Sequence, residues 1–184
     1  MDFNLIYTIG HLFGVAIGAG GAYLSDFMFM QSIRDRKISA TEFKFMSLGS
    51  KFVWVGLGLL FVSGLGLFST DPQTYLTSSK FQTKMAIVAI LTINGLIFLL
   101  VHMPRIKRHQ GSHYPSSDEF RRKAPWLLLS GVISVTSWTS AIILGGLRSI
   151  PYTFTQGLIG YLAVIVIGFV IALAIKNKLL FSKR

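Results

Sequence analysis

Five long apolar runs divide the chain, at about residues 5–30, 52–69, 85–103, 126–147 and 154–175. An α-helix needs roughly 20 apolar residues to cross the hydrocarbon layer of a bilayer, and each run is of that order. No segment alternates apolar and polar residues with the period of two that a membrane β-barrel strand requires. The pattern predicts an all-α, polytopic integral membrane helix bundle with five transmembrane helices, built as a single domain over residues 1–184. No Lys or Arg precedes the first run and Asp2 flanks it, so it is expected to be a retained span, not a cleaved signal peptide.

The charges between the runs alternate from side to side. Arg34, Arg36, Lys37, Lys44 and Lys51 fall in a loop at about 31–51, and Arg105, Lys107, Arg108, Arg121, Arg122 and Lys123 in one at about 104–125. Lys176, Lys178, Lys183 and Arg184 follow the last run, whereas the other side holds only Lys80, Lys84 and Arg148. The positive-inside rule then places the N-terminus outside, and both basic loops and the C-terminus in the cytoplasm. This arrangement suits the plasma (inner) membrane of a bacterial cell. Ser39-Ala-Thr-Glu42 has the spacing of a capping box and predicts a second helix of about 30 residues starting there. Pro104 is expected to close the third span and Pro125 to open the fourth, with 105–123 a solvated loop.

Composition narrows the function. Of 184 residues 52% are hydrophobic and 14% charged, and the mean hydropathy is +0.59; soluble domains carry about 25% charge. The net charge of +11 comes from short loops and not from one basic face, which argues against a nucleic-acid partner. Without cysteine there are no disulfides, iron–sulfur clusters, thiol nucleophiles or covalently attached c-type haem. Phosphate-binding loops, nucleophile elbows, HExxH zinc motifs and paired carboxylates within one span are all missing.

Candidate chemistry therefore lies in polar groups inside the spans, which face protein rather than lipid. Tyr7, His11, Gly14, Gly18 and Ser25 share one stripe of the first helix, and Ser130, Ser134, Ser137, Ala141 and Gly145 one stripe of the fourth. Both read first as packing seams. Gly56, Gly58, Gly64 and Gly66, like Gly157, Gly160, Tyr161 and Gly168, read as close-contact positions. The third span carries Lys84, Asn94 and His102; Lys84 is expected to snorkel outward and His102 to sit at the inner interface. Asp26, near the inner boundary, is expected to pair with Arg34 or Lys37. His11 and His102 fall at opposite ends, which excludes one haem held between them. His109 and His113 are four apart but lack a third ligand.

The H-x2-G-x5-G-G pattern formed by His11, Gly14, Gly20 and Gly21, together with Phe81-Gln-Thr-Lys84-Met, resembles the bacterial membrane families around copper-resistance protein D and the HemJ-type protoporphyrinogen oxidase. The resemblance covers spans one to three. It implies an all-helical protein that binds b-type haem, with His11 as the iron ligand and Lys84 as its functional partner. The shared end of the bundle adds Arg148 and Lys80 as candidates for the propionates. Three functions stay open. One is a haem protein near the outer leaflet that transfers electrons or oxidises a membrane-soluble substrate, with a membrane redox partner. Another is a small transporter or pathway for copper, protons or a small solute, lined by His11, Asp26, Asn94, Ser130, Ser134 and Ser137. The last is a non-catalytic subunit or scaffold, packed against a partner or a second copy. Enzymatic and non-enzymatic roles are both compatible with these residues.

Overall fold

The computed structural model describes residues 3–181; Asp2, Lys183 and Arg184, and the side chain of Lys178, lie outside what it describes. The order is α1 (Phe3–Asp35), α2 (Ala40–Thr70), the short α3 (Pro72–Thr77), α4 (Ser79–Ile97), a π-helical turn (Phe98–His102), α5 (Met103–Arg108), a 3-10 turn (Tyr114–Ser116), α6 (Asp118–Gly146) and α7 (Phe154–Phe181). No strand occurs among the described residues. Five helices are long and apolar enough to cross a membrane: α1, α2, the continuous rod Ser79–Arg108, α6 and α7. The protein is a multi-span membrane protein. Its outward side chains, such as Phe13, Phe61, Val62, Leu100 and Val166, are apolar and exposed, as lipid contact requires.

The helices overrun the apolar runs. At 33 residues, α1 is about 50 Å long against a hydrocarbon layer of about 30 Å. The capping box opens α2 as its spacing predicts: the Ser39 hydroxyl accepts from the Glu42 N–H, and the Glu42 carboxylate accepts from the Ser39 N–H at 2.8 Å. The two prolines do not mark span ends. Pro104 lies inside the rod, because the helix widens just before it and the Met103 N–H reaches back to the Phe98 carbonyl. A proline lacks the N–H and crowds the carbonyl four residues earlier, and a wider turn relieves both. Pro125 sits within α6, which starts seven residues sooner, where Ser117 caps the Phe120 N–H.

Residues 105–123 are not a solvated loop. Ile106, Tyr114, Phe120 and Ala124 are buried with Phe29, Ile33, Ile38 and Met46 in a core at the basic end of the bundle. Two backbone bonds tie this segment to the α1–α2 connection, from Gly111 N–H to Ile38 O at 2.7 Å and from Ile38 N–H to Ser112 O at 3.2 Å. Gly111, at φ +80°, makes the turn that allows it. The alternation of Gly, Ser and Pro hid a run of apolar anchors.

Within the membrane, α1 and α2 form an antiparallel hairpin whose backbones nearly touch. Gly14 meets the Gly56 carbonyl, Gly18 meets Gly56, and Gly21 meets the Gly49 carbonyl, so the stripe read from the first helix is a packing seam. Trp138 of α6 lies across Gly18 and packs with Ala19, Ala22, Leu57 and Leu91, which locks the hairpin to the other helices. On the far side, Ile87 of α4, Leu144 of α6, and Tyr161 and Ile165 of α7 make a third cluster. Not every glycine is a contact: a side chain at Gly58, Gly145 or Gly160 would meet nothing within 4 Å.

A methyl group at Gly56 would lie 2.5 Å from the Gly18 backbone and 2.7 Å from the Gly14 carbonyl. Gly56→Ala is therefore expected to lower stability by about 1–3 kcal/mol through overpacking. Gly58→Ala should leave it unchanged or raise it slightly, because helix propensity favours Ala. Thermal unfolding in detergent distinguishes them, and equal melting of the two variants would contradict the seam.

Candidate functional site

His11 sits on the α2-facing stripe of α1, one turn before the first tight glycine contact. Its Nδ1 lies 3.1 Å from the Ser63 hydroxyl. That hydroxyl already donates its single proton to the Leu59 carbonyl at 2.6 Å, so it is left as an acceptor. The histidine is then the tautomer with its proton on Nδ1, and the Nε2 lone pair is free to accept. It does so from Lys84 of α4, whose Nζ stands 3.2 Å away. Lys84 does not snorkel outward; it turns into the bundle onto the imidazole. A residue 73 positions away in sequence is thus brought to His11 by the packing of α4 beside the hairpin.

The register of Lys84 is set by local structure. Ser78 caps α4 by accepting from the Phe81 N–H, and Phe81 packs with Phe68 and Tyr75 in an aromatic cluster that pins α3 between α2 and α4. One turn before Lys84, Lys80 donates to the Leu147 carbonyl at the end of α6, next to the exposed Arg148. Arg148 thus joins the same end of the bundle through Lys80, without touching His11. The carboxylate at this end among the described residues is Asp71. It caps α3 by accepting from Thr74, whose side chain and backbone hold its carboxyl below the usual carboxylate value. No ion pair joins it to Lys80, Lys84 or Arg148, and the ion pairs among the described residues are Arg105–Glu119 and His109–Glu119, at the other end. Lys84 is thus the cation on the half-buried imidazole, with Lys80 one turn before it and Arg148 beside the carbonyl that Lys80 meets.

One feature of this set is what an iron-binding imidazole requires. An axial imidazole binds iron through an unprotonated nitrogen while its other N–H is held by an acceptor, which is the role Ser63 fills. Lys80 and Lys84 are each bonded to an uncharged acceptor, so their charge is not offset by an ion pair. Lys84 and an iron would compete for the same lone pair. Two part-open spaces, of about 150 Å³ beside Met30, Gly168 and Ala172 and about 40 Å³ beside Asp26 and Trp138, lie away from His11.

The remaining polar candidates form a separate group. Asp26 does not pair with Arg34 or Lys37; no ion pair reaches it among the described residues. Its place on α1 points it inward, where the Ser134 hydroxyl is its hydrogen-bond partner. Asn94 donates to the Ser130 carbonyl at 3.0 Å and lines the same small cavity as Asp26 and Ser134. Ser137 is bonded back to the Ile133 carbonyl and also to the Tyr161 hydroxyl at 2.8 Å, so it is structural. His102 faces protein. It is buried in the π-helical turn, edge-on to Phe98, far along the rod from His11. His109 stacks on Tyr114 and faces Glu119, while His113 bonds the Arg36 carbonyl, so the two share no metal. No group of three or more His, Asp or Glu side chains suited to a metal occurs among the described residues.

Ser63 is the site residue that sequence reasoning passed over. Its signal was a lone hydroxyl in the glycine-rich middle of α2, which becomes informative only once the hairpin register sets it opposite His11. The chain matches no family model, no curated protein and no solved structure.

Ser63→Ala removes the acceptor for the Nδ1 proton and is expected to cost about 1 kcal/mol. Combined with Lys84→Met, which removes the donor to Nε2, it should also redistribute the His11 tautomer toward Nε2–H. Nitrogen NMR of labelled histidine reads this directly; an unchanged Nδ1–H tautomer in the double variant would show that Ser63 does not set it.

Proposed function

We propose that this multi-span membrane protein binds b-type haem at the His11–Lys84 end and works in electron transfer or in oxidation of a membrane-soluble substrate. The observation that carries the reading is the pairing itself: Ser63 holds the Nδ1 side of His11, and its Nε2 lone pair faces the Lys84 ammonium. His11 would hold the iron, and Lys84, Lys80 and Arg148 would take the anionic groups of the porphyrin. Bound there, haem supplies a one-electron couple. The resemblance of the His11–Gly21 and Phe81–Lys84 segments to the copper-resistance D and HemJ-type families supports the same pair of residues. The charge asymmetry of the loops supports an outer-leaflet position for this end, with the basic end in the cytoplasm of a bacterial-type cell.

Protein purified in mild detergent after haem-supplemented expression is expected to show a stoichiometric b-type Soret band and a reduced α-band. His11→Ala should abolish both without unfolding the bundle. Lys84→Met should leave the iron ligand in place and raise the haem dissociation constant roughly tenfold, the loss of about 1.4 kcal/mol expected for one charge-assisted contact. Full haem content in folded His11→Ala would overturn the assignment.

A further inference from the structure

The strongest feature left unused lies about 15 Å along α4 from Lys84, near the middle of the membrane. There α1, α2, α4 and α6 border a part-open cavity of about 40 Å³, room for two or three water-sized molecules. Two polar atoms of residues lining it are buried and have no partner: Oδ2 of Asp26 and Nε1 of Trp138. Trp138 is 1% exposed. One of these atoms accepts and the other only donates. Other oxygens surround them. Ser134 is bonded to Asp26, Asn94 has its amide nitrogen committed to Ser130 O, and Ser25 and Ser50 come from the α1 and α2 sides.

No Lys, Arg or His lines this cavity, and Asp26 is its one titratable residue. A carboxylate at this depth without a cationic partner is not a stable arrangement on its own. Buried charges are paired, bind a cation or are neutralised by a proton, and here the protein supplies no pair. We propose that the cavity is a binding site for one small monovalent cation, either Na⁺ held with water or a proton held on the Asp26 carboxyl beside water. Asp26 supplies the charge. The oxygens of Ser134 and Asn94 supply hard ligands of the kind such ions take. Water completes the shell, because the Trp138 N–H needs an acceptor and repels a bare cation. The cavity volume fits an ion with one or two waters and excludes a larger solute. The site is independent of the His11 end, so it stands whether or not haem binds there.

The test uses the full chain in detergent, with NaCl exchanged for choline chloride at constant ionic strength. A saturable rise in Tm with Na⁺ that Asp26→Asn loses identifies Na⁺ as the occupant. Ser134→Ala, which keeps the charge and removes one ligand, should shift that response to higher Na⁺ concentration while circular dichroism confirms the fold. A flat Na⁺ response together with an infrared carboxylic-acid band that titrates with pH and is missing in folded Asp26→Asn identifies the proton. If neither a Na⁺ response nor such a band is found, Asp26 is only a hydrogen-bond partner of Ser134 and the proposal fails.

Discussion

The structure depends on the close approach of two backbones. Where Gly14, Gly18 and Gly21 of α1 face Gly49 and Gly56 of α2, no side chain separates the helices. In lipid the hydrophobic effect does not press helices together, so association rests on van der Waals contact and interhelical hydrogen bonds, which short separations favour. The polar groups take their positions from this contact. His11 meets Ser63 because the seam sets the register of the hairpin. Trp138 can lie across Gly18 because that position has no Cβ. Its presence there also brings α6, with Ser130 and Ser134, over Asp26.

The two ends of the bundle handle charge in different ways. At the basic end, Glu119 faces both Arg105 and His109 of the segment before α6, beside a packed apolar core. At the other end, Lys80 spends its ammonium on a helix-end carbonyl and Lys84 on an imidazole, and Asp71 is committed to a helix cap. Both ends are net basic: the first carries most of the lysines and arginines besides its ion pairs, and at the second the lysines are hydrogen-bonded to uncharged acceptors.

Much of this was legible in the sequence. Hydropathy gave the five spans, the Ser39–Glu42 spacing placed the start of α2, and the span count put His11 and Lys84 at one end. Three things were not legible, for different physical reasons. Proline position is ambiguous: Pro104 looks like a stop and Pro125 like a start, but a widened turn carries the helix past the first and an upstream cap starts it before the second. Proximity in sequence misleads for Asp26, since Arg34 is two turns away along α1 yet the carboxylate turns inward toward α6. Buried connections are hard to tell from solvated ones when their anchors are dispersed, as Ile106, Tyr114 and Phe120 are.

The π-helical turn at Phe98–His102 has a consequence for the whole rod. A wide turn accommodates one residue more than an α-helical turn, so it acts as an insertion absorbed in place. A residue added to an uninterrupted α-helix rotates everything beyond it by about 100°. Here the two parts of the rod keep separate phases. The part carrying Thr83, Lys84 and Asn94 is aligned to the membrane-embedded helices, and the part carrying Met103 and Ile106 to the core at the basic end. One continuous element thereby serves two cores whose angular demands differ.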